Sequence, residues 1–304
     1  MKNLNLTFQS YISLILLSAI WGSSFLFIKI SIVSIPPSLL TFYRLFVASL
    51  FLICFCKKGF LKAIFANNRK LLFGVAIFGN VLPFNLISLS EIYVESIVAA
   101  SLIGTMPLFT YIVAYFISKN KSFDFISIIG LLFGFIGMLI FINPFGISLQ
   151  SVAFNFSLLI ILSAFFYGLS ANFVKKIQDN SPIEIAAFTT ILAMLLAFPI
   201  FLLNFITLNN IEKQLLLNIS FESFFSATVL GIVCTGFAIL IFFNLIKTKS
   251  AVFASQSNFL IPCFGSLWGY IFLDENLTEN MIYGLLLIVI GGWVTNRSML
   301  VKRN

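Results

Sequence analysis

Long apolar runs, separated by short polar stretches, occupy most of this 304-residue chain. A helical run of about 20 apolar residues matches the thickness of the hydrocarbon core of a bilayer. The pattern therefore predicts an all-α integral membrane protein with ten transmembrane helices. They lie near residues 11–33, 38–56, 71–90, 94–117, 126–143, 154–174, 184–206, 224–246, 251–273 and 280–299. The first run is too long for the apolar core of a secretory signal, so we expect it to stay in the mature protein.

The chain also contains an internal duplication. The stretch WGSSFLFIK, from Trp21 to Lys29, matches YGLSANFVK, from Tyr167 to Lys175, at an offset of 146 residues. At the same offset Phe42 falls on Phe188. Repetition at a fixed period indicates a duplicated structural unit.

Ten helices divide into two repeats of five, which we place at residues 1–147 and 148–304. Because five is odd, the second repeat begins on the opposite side of the membrane from the first. The two halves are therefore expected to be inverted relative to each other. Inverted repeats with a site between them are typical of transporters.

Composition agrees with a membrane protein, since 60% of the residues are hydrophobic and only 9% are charged. A cytoplasmic N-terminus would put fifteen of the eighteen Lys and Arg residues in cytoplasmic loops and only Lys213 outside. Lys29 and Arg44 lie near the outer ends of their helices. The positive-inside rule then predicts a multi-pass protein of the cell inner (plasma) membrane with both termini cytoplasmic. The net charge of +8 follows from this orientation and indicates no nucleic-acid partner.

Several short motifs, in this order and spacing, are similar to those of a known family. They are Trp21-Gly22-Ser23-Ser24-Phe25 with Lys29, Arg44, Ala254-Ser255, Pro262, Leu273-Asp274-Glu275 and Gly284. Over nearly its whole length the chain resembles EamA-type members of the drug/metabolite transporter superfamily. The resemblance implies a ten-helix bundle of inverted repeats, a central cavity, and transport of small metabolites such as amino acids by alternating access.

The first half departs from this pattern, because Lys119-Asn120 stands where the second half has Asp274-Glu275. A structural role for the acidic turn is therefore expected in one repeat only.

Side chains suited to catalysis or metal binding are scarce. The chain has no histidine, and no Asp or Glu lies well inside a predicted helix. We therefore expect no catalytic residue, no metal site and no cofactor, and we predict that the protein is not an enzyme. Glu91 and Glu95 are placed at the outer mouth, where they could titrate. The cysteines lie in apolar segments, where packing is the expected role: Cys54, Cys56, Cys234 and Cys263.

The duplicated motif supplies the first candidate cavity residues. Trp21 and Ser24 are three positions apart and share a helix face, as do Tyr167 and Ser170 in the second repeat. Faces from two inverted repeats would meet around one cavity. An equally open interpretation is that Gly22, Gly168 and the serines only allow close helix packing.

A polar stripe on the ninth helix supplies the next candidates. Ser255, Asn258, Pro262 and Ser266 would share one face of a continuous helix, and we take Ser255 and Asn258 as cavity residues. Hydrogen bonding between helices is the alternative. Asn85, inside the third helix, joins the candidate set.

Arg44 is the most unusual residue of the second helix, because a charge inside a membrane marks a functional hypothesis. With Tyr43 beside it, Arg44 could hold a carboxylate or phosphate of a substrate. Alternatively, it could snorkel to the outer surface or pair with Glu91 or Glu95 as a structural lock. Lys29 and Lys175 are expected to be interface anchors.

Two prolines occupy equivalent positions when Ala99 is aligned with Ala254. Pro107 and Pro262 each remove one helical hydrogen bond near mid-helix, which predicts a hinge or a static kink.

The sequence thus predicts a permease that moves a small polar or zwitterionic metabolite, such as an amino acid, by efflux or exchange. The expected partners are the lipid bilayer and this small molecule. The alternatives are a non-transporting scaffold or accessory subunit and a membrane-embedded enzyme. Gly130 and Gly134 form a G-x-x-x-G pair that suits packing within the bundle as well as dimerisation, so we assign no oligomeric partner.

Overall fold

The computed structural model of the chain describes residues 2–117, 125–142, 151–178, 180–207 and 218–301. Within these ranges the chain is helical, without β-strands, and forms ten consecutive segments that we number α1 to α10. The predicted all-α class is confirmed. The ends of the segments fall close to those predicted, except that α1 and α3 each begin about ten residues earlier.

Six segments are continuous helices: α1 (Lys2–Ser31), α2 (Pro37–Ile53), α5 (Phe125–Ile142), α6 (Val152–Lys176), α7 (Pro182–Thr207) and α10 (Glu279–Val301). The other four change geometry along their length. They are α3 (Phe60–Ala76, Ile77–Val81, Leu82–Ser90), α4 (Ser96–Ile103, Met106–Ile117), α8 (Phe221–Val229, Leu230–Phe237, Ala238–Thr248) and α9 (Ala251–Ser255, Ser257–Phe272).

The outer surface of the bundle is apolar. Among the described residues, six helices are long and apolar enough to cross a membrane, and three shorter apolar helices accompany them. Large apolar side chains point outward, including Phe116 and Phe125, which are 72% and 73% exposed. Soluble proteins rarely expose apolar surface on this scale. The chain is therefore a multi-pass membrane protein in contact with lipid.

Helix packing follows a two-fold pattern. Helix α1 packs against α9 and α8, and α6 packs in the same way against α4 and α3. Helix α2 contacts α7 and α8, while α7 contacts α2 and α3. The remaining large contacts pair α4 with α9 and α5 with α10. Exchanging α1–α5 with α6–α10 leaves this list of contacts unchanged.

Helices α1 and α6 run in opposite directions through the bundle. The ammonium of Lys29, near the end of α1, lies beside the carbonyl of Val94, just before α4 begins. Asn172, one turn before the end of α6, donates to the carbonyl of Thr110 in the second piece of α4. The carboxyl ends of α1 and α6 therefore lie at opposite ends of α4. We call these the Lys29 end and the Lys175 end.

A lysine caps a helix at each end. Lys29 donates to the carbonyls of Glu91 and Val94, at 2.6 and 2.9 Å, where α3 finishes. Lys175 donates to carbonyls where α8 finishes, including those of Ile246 and Lys249 at 3.1 and 3.2 Å. A cation at a helix carboxyl end satisfies unpaired carbonyls and matches the helix dipole. Each of these lysines therefore joins its own helix to a neighbouring helix, a role beyond that of the expected interface anchor.

Three helix starts in the second half are capped by serine. Ser151, Ser220 and Ser250 each accept a hydrogen bond from the backbone N–H three residues on. Helix α4 begins differently, because its own N-cap residue, Glu95, makes no capping bond. The carboxylate of Glu275, from the turn after α9, accepts instead from the N–H groups of Ser96 and Ile97 at 2.8 and 2.9 Å. The acidic turn thus caps a helix of the other half. Its counterpart, Lys119-Asn120, lies outside the described residues.

Glycine allows α5 and α10 to approach each other closely. A Cβ on Gly137 would lie 2.7 Å from the carbonyl oxygen of Gly284, and one on Gly130 would lie 2.7 Å from that of Gly291. Neither distance leaves room for a side chain. The G-x-x-x-G residues of α5 therefore serve packing within the bundle.

Candidate functional site

One cavity of about 70 Å³ lies between the two sets of helices. Its lining comes from α1, α2, α3 and α4 of the first half and from α6, α8 and α9 of the second. The walls are mainly apolar and aromatic, with few polar groups, as in many small-molecule sites. The lining residues are Trp21, Ser24, Phe25, Ile28, Arg44, Gly79, Asn80, Phe84, Ile87, Ile103, Met106, Tyr167, Ser170, Ile239, Phe242, Phe243, Asn258 and Ile261.

Most of the lining positions are related by the duplication. At the offset of 146, Trp21 corresponds to Tyr167 and Ser24 to Ser170. At the offset that aligns Ala99 with Ala254, four more pairs line the cavity: Phe84 and Ile239, Ile87 and Phe242, Ile103 and Asn258, Met106 and Ile261. The two halves therefore contribute equivalent positions with different side chains.

Six of the nine candidates lie together in this lining: Trp21, Ser24, Arg44, Tyr167, Ser170 and Asn258. The other three do not line it. The hydroxyl of Tyr43 is 3.0 Å from that of Thr228 on α8. Asn85 and Ser255 instead donate to carbonyls of their own segments, at 2.8 and 2.9 Å.

Ser255 is separated from Asn258 by a break in α9. The predicted stripe assumes a continuous helix, but the structure divides α9 at Gln256. Of the four stripe residues only Asn258 lines the cavity. Its amide donates to the carbonyl of Ser255 at 3.0 Å, which holds the side chain across the break.

The indole N–H of Trp21 is already used within the protein. It donates to the carbonyl of Cys234 on α8 at 3.2 Å. The Trp21 ring packs edge-on against Phe242, with 4.9 Å between centroids. Trp21 therefore offers the cavity an aromatic surface, and its position is fixed by α8. The glycine that follows it, Gly22, has a separate role, because a Cβ there would lie 2.5 Å from the Cβ of Phe264 on α9. Packing and lining are thus divided between neighbouring residues of the motif.

Arg44 is the one charged side chain among the described lining residues. It is 5% exposed, and its Nε donates to the hydroxyl of Thr235. The guanidinium carbon lies 3.9 Å from the centroid of the Phe84 ring, within cation–π distance. Within the described part of the chain its two terminal amino groups make no hydrogen bond, and no ion pair joins it to Glu91. The predicted lock between Arg44 and Glu91 or Glu95 therefore does not form, because Arg44 is held by Thr235 and Phe84.

The same fold and the same arrangement of helices occur in known proteins. The sequence profile of the EamA-like transporter family matches residues 9–143 and 156–297. The chain belongs to the EamA-like transporter family.

Relatives of this EamA-like chain are similar along almost the full length. An uncharacterized transporter of Bacillus subtilis, YoaV, is 26% identical over 92% of this chain and 94% of its own. An uncharacterized transporter of Archaeoglobus fulgidus is 25% identical over 95% and 99%. A protein of Salmonella typhimurium named as a probable amino-acid metabolite efflux pump is 23% identical over 95% of both chains. These names indicate a transporter rather than an enzyme.

A solved crystal structure shares the fold. It superimposes with a TM-score of 0.73 over 97% of this chain and 98% of its own, at 14% sequence identity. At this identity the likeness extends to the fold alone.

Asn80 is a cavity residue that sequence reasoning left out of the candidate set. It lies in the π-helical turn of α3, where one extra residue per turn rotates the side chains. Its amide oxygen is buried without a hydrogen-bond partner among the described residues. The sequence did contain a sign of this role, because the repeat alignment places Asn80 on Thr235. Thr235 lies in the matching π-helical stretch of α8 and accepts a hydrogen bond from Arg44.

The two prolines occupy unlike surroundings despite their equivalent positions. Pro107 is the second residue of the second piece of α4, just after the break at Gly104 and Thr105. Pro262 lies inside the second piece of α9, six residues after the break at Gln256. Both lie close to the cavity wall, next to Met106 and Ile261.

Proposed function

We propose that this chain is a permease of the cell inner membrane that moves a small zwitterionic metabolite, with amino acids as the first class to test. Two inverted five-helix halves, residues 1–147 and 148–304, would cross the membrane ten times in total. They would rock about the cavity and expose it to each side in turn. The transporter family and the probable amino-acid metabolite efflux pump among the relatives support this proposal.

The observation that carries the proposal is the paired lining of the cavity. In alternating access, inverted halves move against each other around one site, so that the cavity closes at one end and opens at the other. Six pairs of equivalent positions face the same space, so each half supplies a comparable wall. The opposite directions of α1 and α6 support inversion of the halves.

The charge pattern supports an orientation for this permease. The Lys175 end carries the basic loops, so we assign it to the cytoplasm together with both termini. The Lys29 end is then the outer end.

Arg44 supports a substrate that carries one carboxylate. A buried guanidinium with unused donors at a cavity wall can bind a carboxylate with charge-assisted hydrogen bonds. The mainly apolar remainder of the lining, with Asn80 and Asn258 as polar groups, suits a substrate with an apolar body.

The test is a ligand-dependent thermal shift on the purified, detergent-solubilised protein. We would screen L-amino acids, their amides, nucleosides, S-adenosyl compounds and polyamines. A ligand at about 100 times its Kd stabilises the folded state by about 2.7 kcal/mol. We expect stabilisation by amino acids and not by the matching amides, which lack the carboxylate.

Variants then locate the binding site. Trp21→Ala and Asn258→Ala should abolish the shift, because both change the lining. Asn85→Ala is the matched control, since Asn85 is an asparagine of a membrane helix that bonds its own segment and does not line the cavity. A shift that survives in both cavity variants would contradict the proposed site. Absence of any shift for the native protein would favour the scaffold alternative.

A further inference from the structure

A second buried charge-bearing group lies outside the cavity. Glu91 follows the last residue of α3, and its N–H still bonds to the carbonyl of Ile87 at 2.9 Å. The residue is 0% exposed. Both oxygens of its carboxyl group lack a hydrogen-bond partner in the described part of the chain. The sequence placed Glu91 at an exposed mouth, but the structure buries it.

Each charged group that faces Glu91 is engaged elsewhere. Lys29, on α1, gives hydrogen bonds to the main-chain carbonyls of Glu91 and Val94. Arg44, on α2, is held by Thr235. Glu275, in the turn after α9, uses its carboxylate to cap α4.

The balance of these surroundings favours the neutral carboxyl. Burial raises the pKa of Glu91 well above its usual range. Lys29 and Arg44 oppose this effect and Glu275 adds to it, but burial is the largest contribution. A buried ionised carboxylate without a hydrogen bond is strongly unfavourable.

We propose that Glu91 is a proton-binding site that couples protonation to opening of the Lys29 end. In the conformation described, the carboxyl group carries its proton. When the Lys29 end opens, water reaches the group, its O–H bond breaks, and the proton passes to water. Ionised Glu91 then opposes closure, because it would have to be buried again without a partner.

This inference rests on the proposed function, and it adds control by the pH at the Lys29 end. A substrate carboxylate on Arg44 would offset the attraction between that guanidinium and an ionised Glu91. Substrate binding at Arg44 would therefore favour protonation of Glu91, and by linkage protonation would favour substrate binding. Protonation of Glu91 and substrate binding would therefore reinforce each other, and both would favour closure of the Lys29 end.

The first experiment detects the proton directly. Infrared spectra of the purified protein, recorded as a function of pH, should contain a carboxyl C=O band that persists above the ordinary pKa range of glutamate. Glu91→Gln should remove this band. Glu95→Gln is the matched control, because Glu95 is an exposed glutamate four residues away. A spectrum that Glu91→Gln leaves unchanged would overturn the proposal.

Thermal unfolding supplies a second readout that needs no substrate. Because folding raises the pKa of Glu91, the contribution of this group to native stability is fully present at low pH and is lost as the pH rises through the folded-state pKa. Glu91→Gln should reduce this loss, so that the variant gains in Tm relative to the native protein as the pH increases. An identical pH dependence in the two proteins would count against the proton site. If Glu91→Gln does not fold, Glu91→Asp serves, because an aspartic acid band must appear at a shifted frequency.

Transport in liposomes separates this inference from the proposed function. With an amino acid that stabilises the native protein, exchange of labelled for unlabelled amino acid should change with the pH on the side of the Lys29 end. Glu91→Gln should keep exchange but lose this dependence on pH. The same pH dependence in both proteins would overturn the coupling while leaving the permease intact. A titrating Glu91 band without any transport would contradict the permease and retain the proton site.

Discussion

The Lys29 end and the Lys175 end have the same lysine cap but differ in the contacts of their carboxylates. At each end a lysine satisfies the carbonyls at the finish of α3 or α8, in equivalent geometry. Only at the Lys29 end, within the described residues, does a carboxylate join separate helices, since Glu275 caps α4. At the Lys175 end Glu184 exchanges bonds with Ser181 at the start of its own helix, and Ser250 caps α9. Both repeats thus keep the lysine cap, while among the described residues a carboxylate joins separate helices at the Lys29 end alone.

Among the variants that test this difference, we expect the largest loss of unfolding free energy for a substitution at Glu275. Glu275→Ala removes a charged acceptor from two backbone N–H groups and the hydroxyl of Ser96, which we expect to cost about 3 kcal/mol of unfolding free energy. Ser250→Ala, at the equivalent helix start of the other end, should cost about 1 kcal/mol. Thermal unfolding of both variants in the same detergent measures the difference. Equal losses would show that the helix starts are held alike at both ends.

The lysine caps should give a smaller and more similar pair of effects. Lys29→Met leaves two carbonyls without their cation, and we expect a loss of about 1 to 2 kcal/mol because Lys29 is partly buried. Lys175→Met should cost less than about 1 kcal/mol, because Lys175 is exposed and water can replace the ammonium. Added salt should weaken the contribution of Lys175 more than that of Lys29. A larger loss for Lys175→Met would reverse the ranking.

The smallest effect is expected at Glu184. Its side chain accepts from the N–H of Ser181 at 3.2 Å, a bond that an amide oxygen can also accept. Glu184→Gln should therefore change the unfolding free energy by about 0.5 kcal/mol or less. Thermal unfolding in the same detergent measures this change. A loss above about 1 kcal/mol would show that the charge of Glu184 is needed at this helix start.

The parts of the fold that follow from hydrophobic periodicity were predictable. Apolar runs fix where helices begin and end, and the repeat from Trp21 and Tyr167 indicates which faces meet. The four motif residues lie together in the cavity lining: Trp21, Ser24, Tyr167 and Ser170. Their role in substrate binding stays a prediction.

The errors arose where helices depart from regular geometry. The break at Gln256 separates Ser255 from Asn258, and the π-helical turn in α3 brings Asn80 to the cavity. A stripe drawn on a regular helix cannot anticipate either change. The burial of Glu91 was missed because it depends on how α1, α2 and the turn after α9 pack around one residue, which apolar patterning does not encode.

The glycine-lined contact between α5 and α10 has a consequence for how such a molecule can be assembled. In this contact the second half meets the first through equivalent helices, so the surfaces are those of two copies of one unit facing each other. A cut in the chain between α5 and α6 would leave two fragments. Each fragment would carry one side of this contact. Co-expressed fragments should therefore reassociate through this contact.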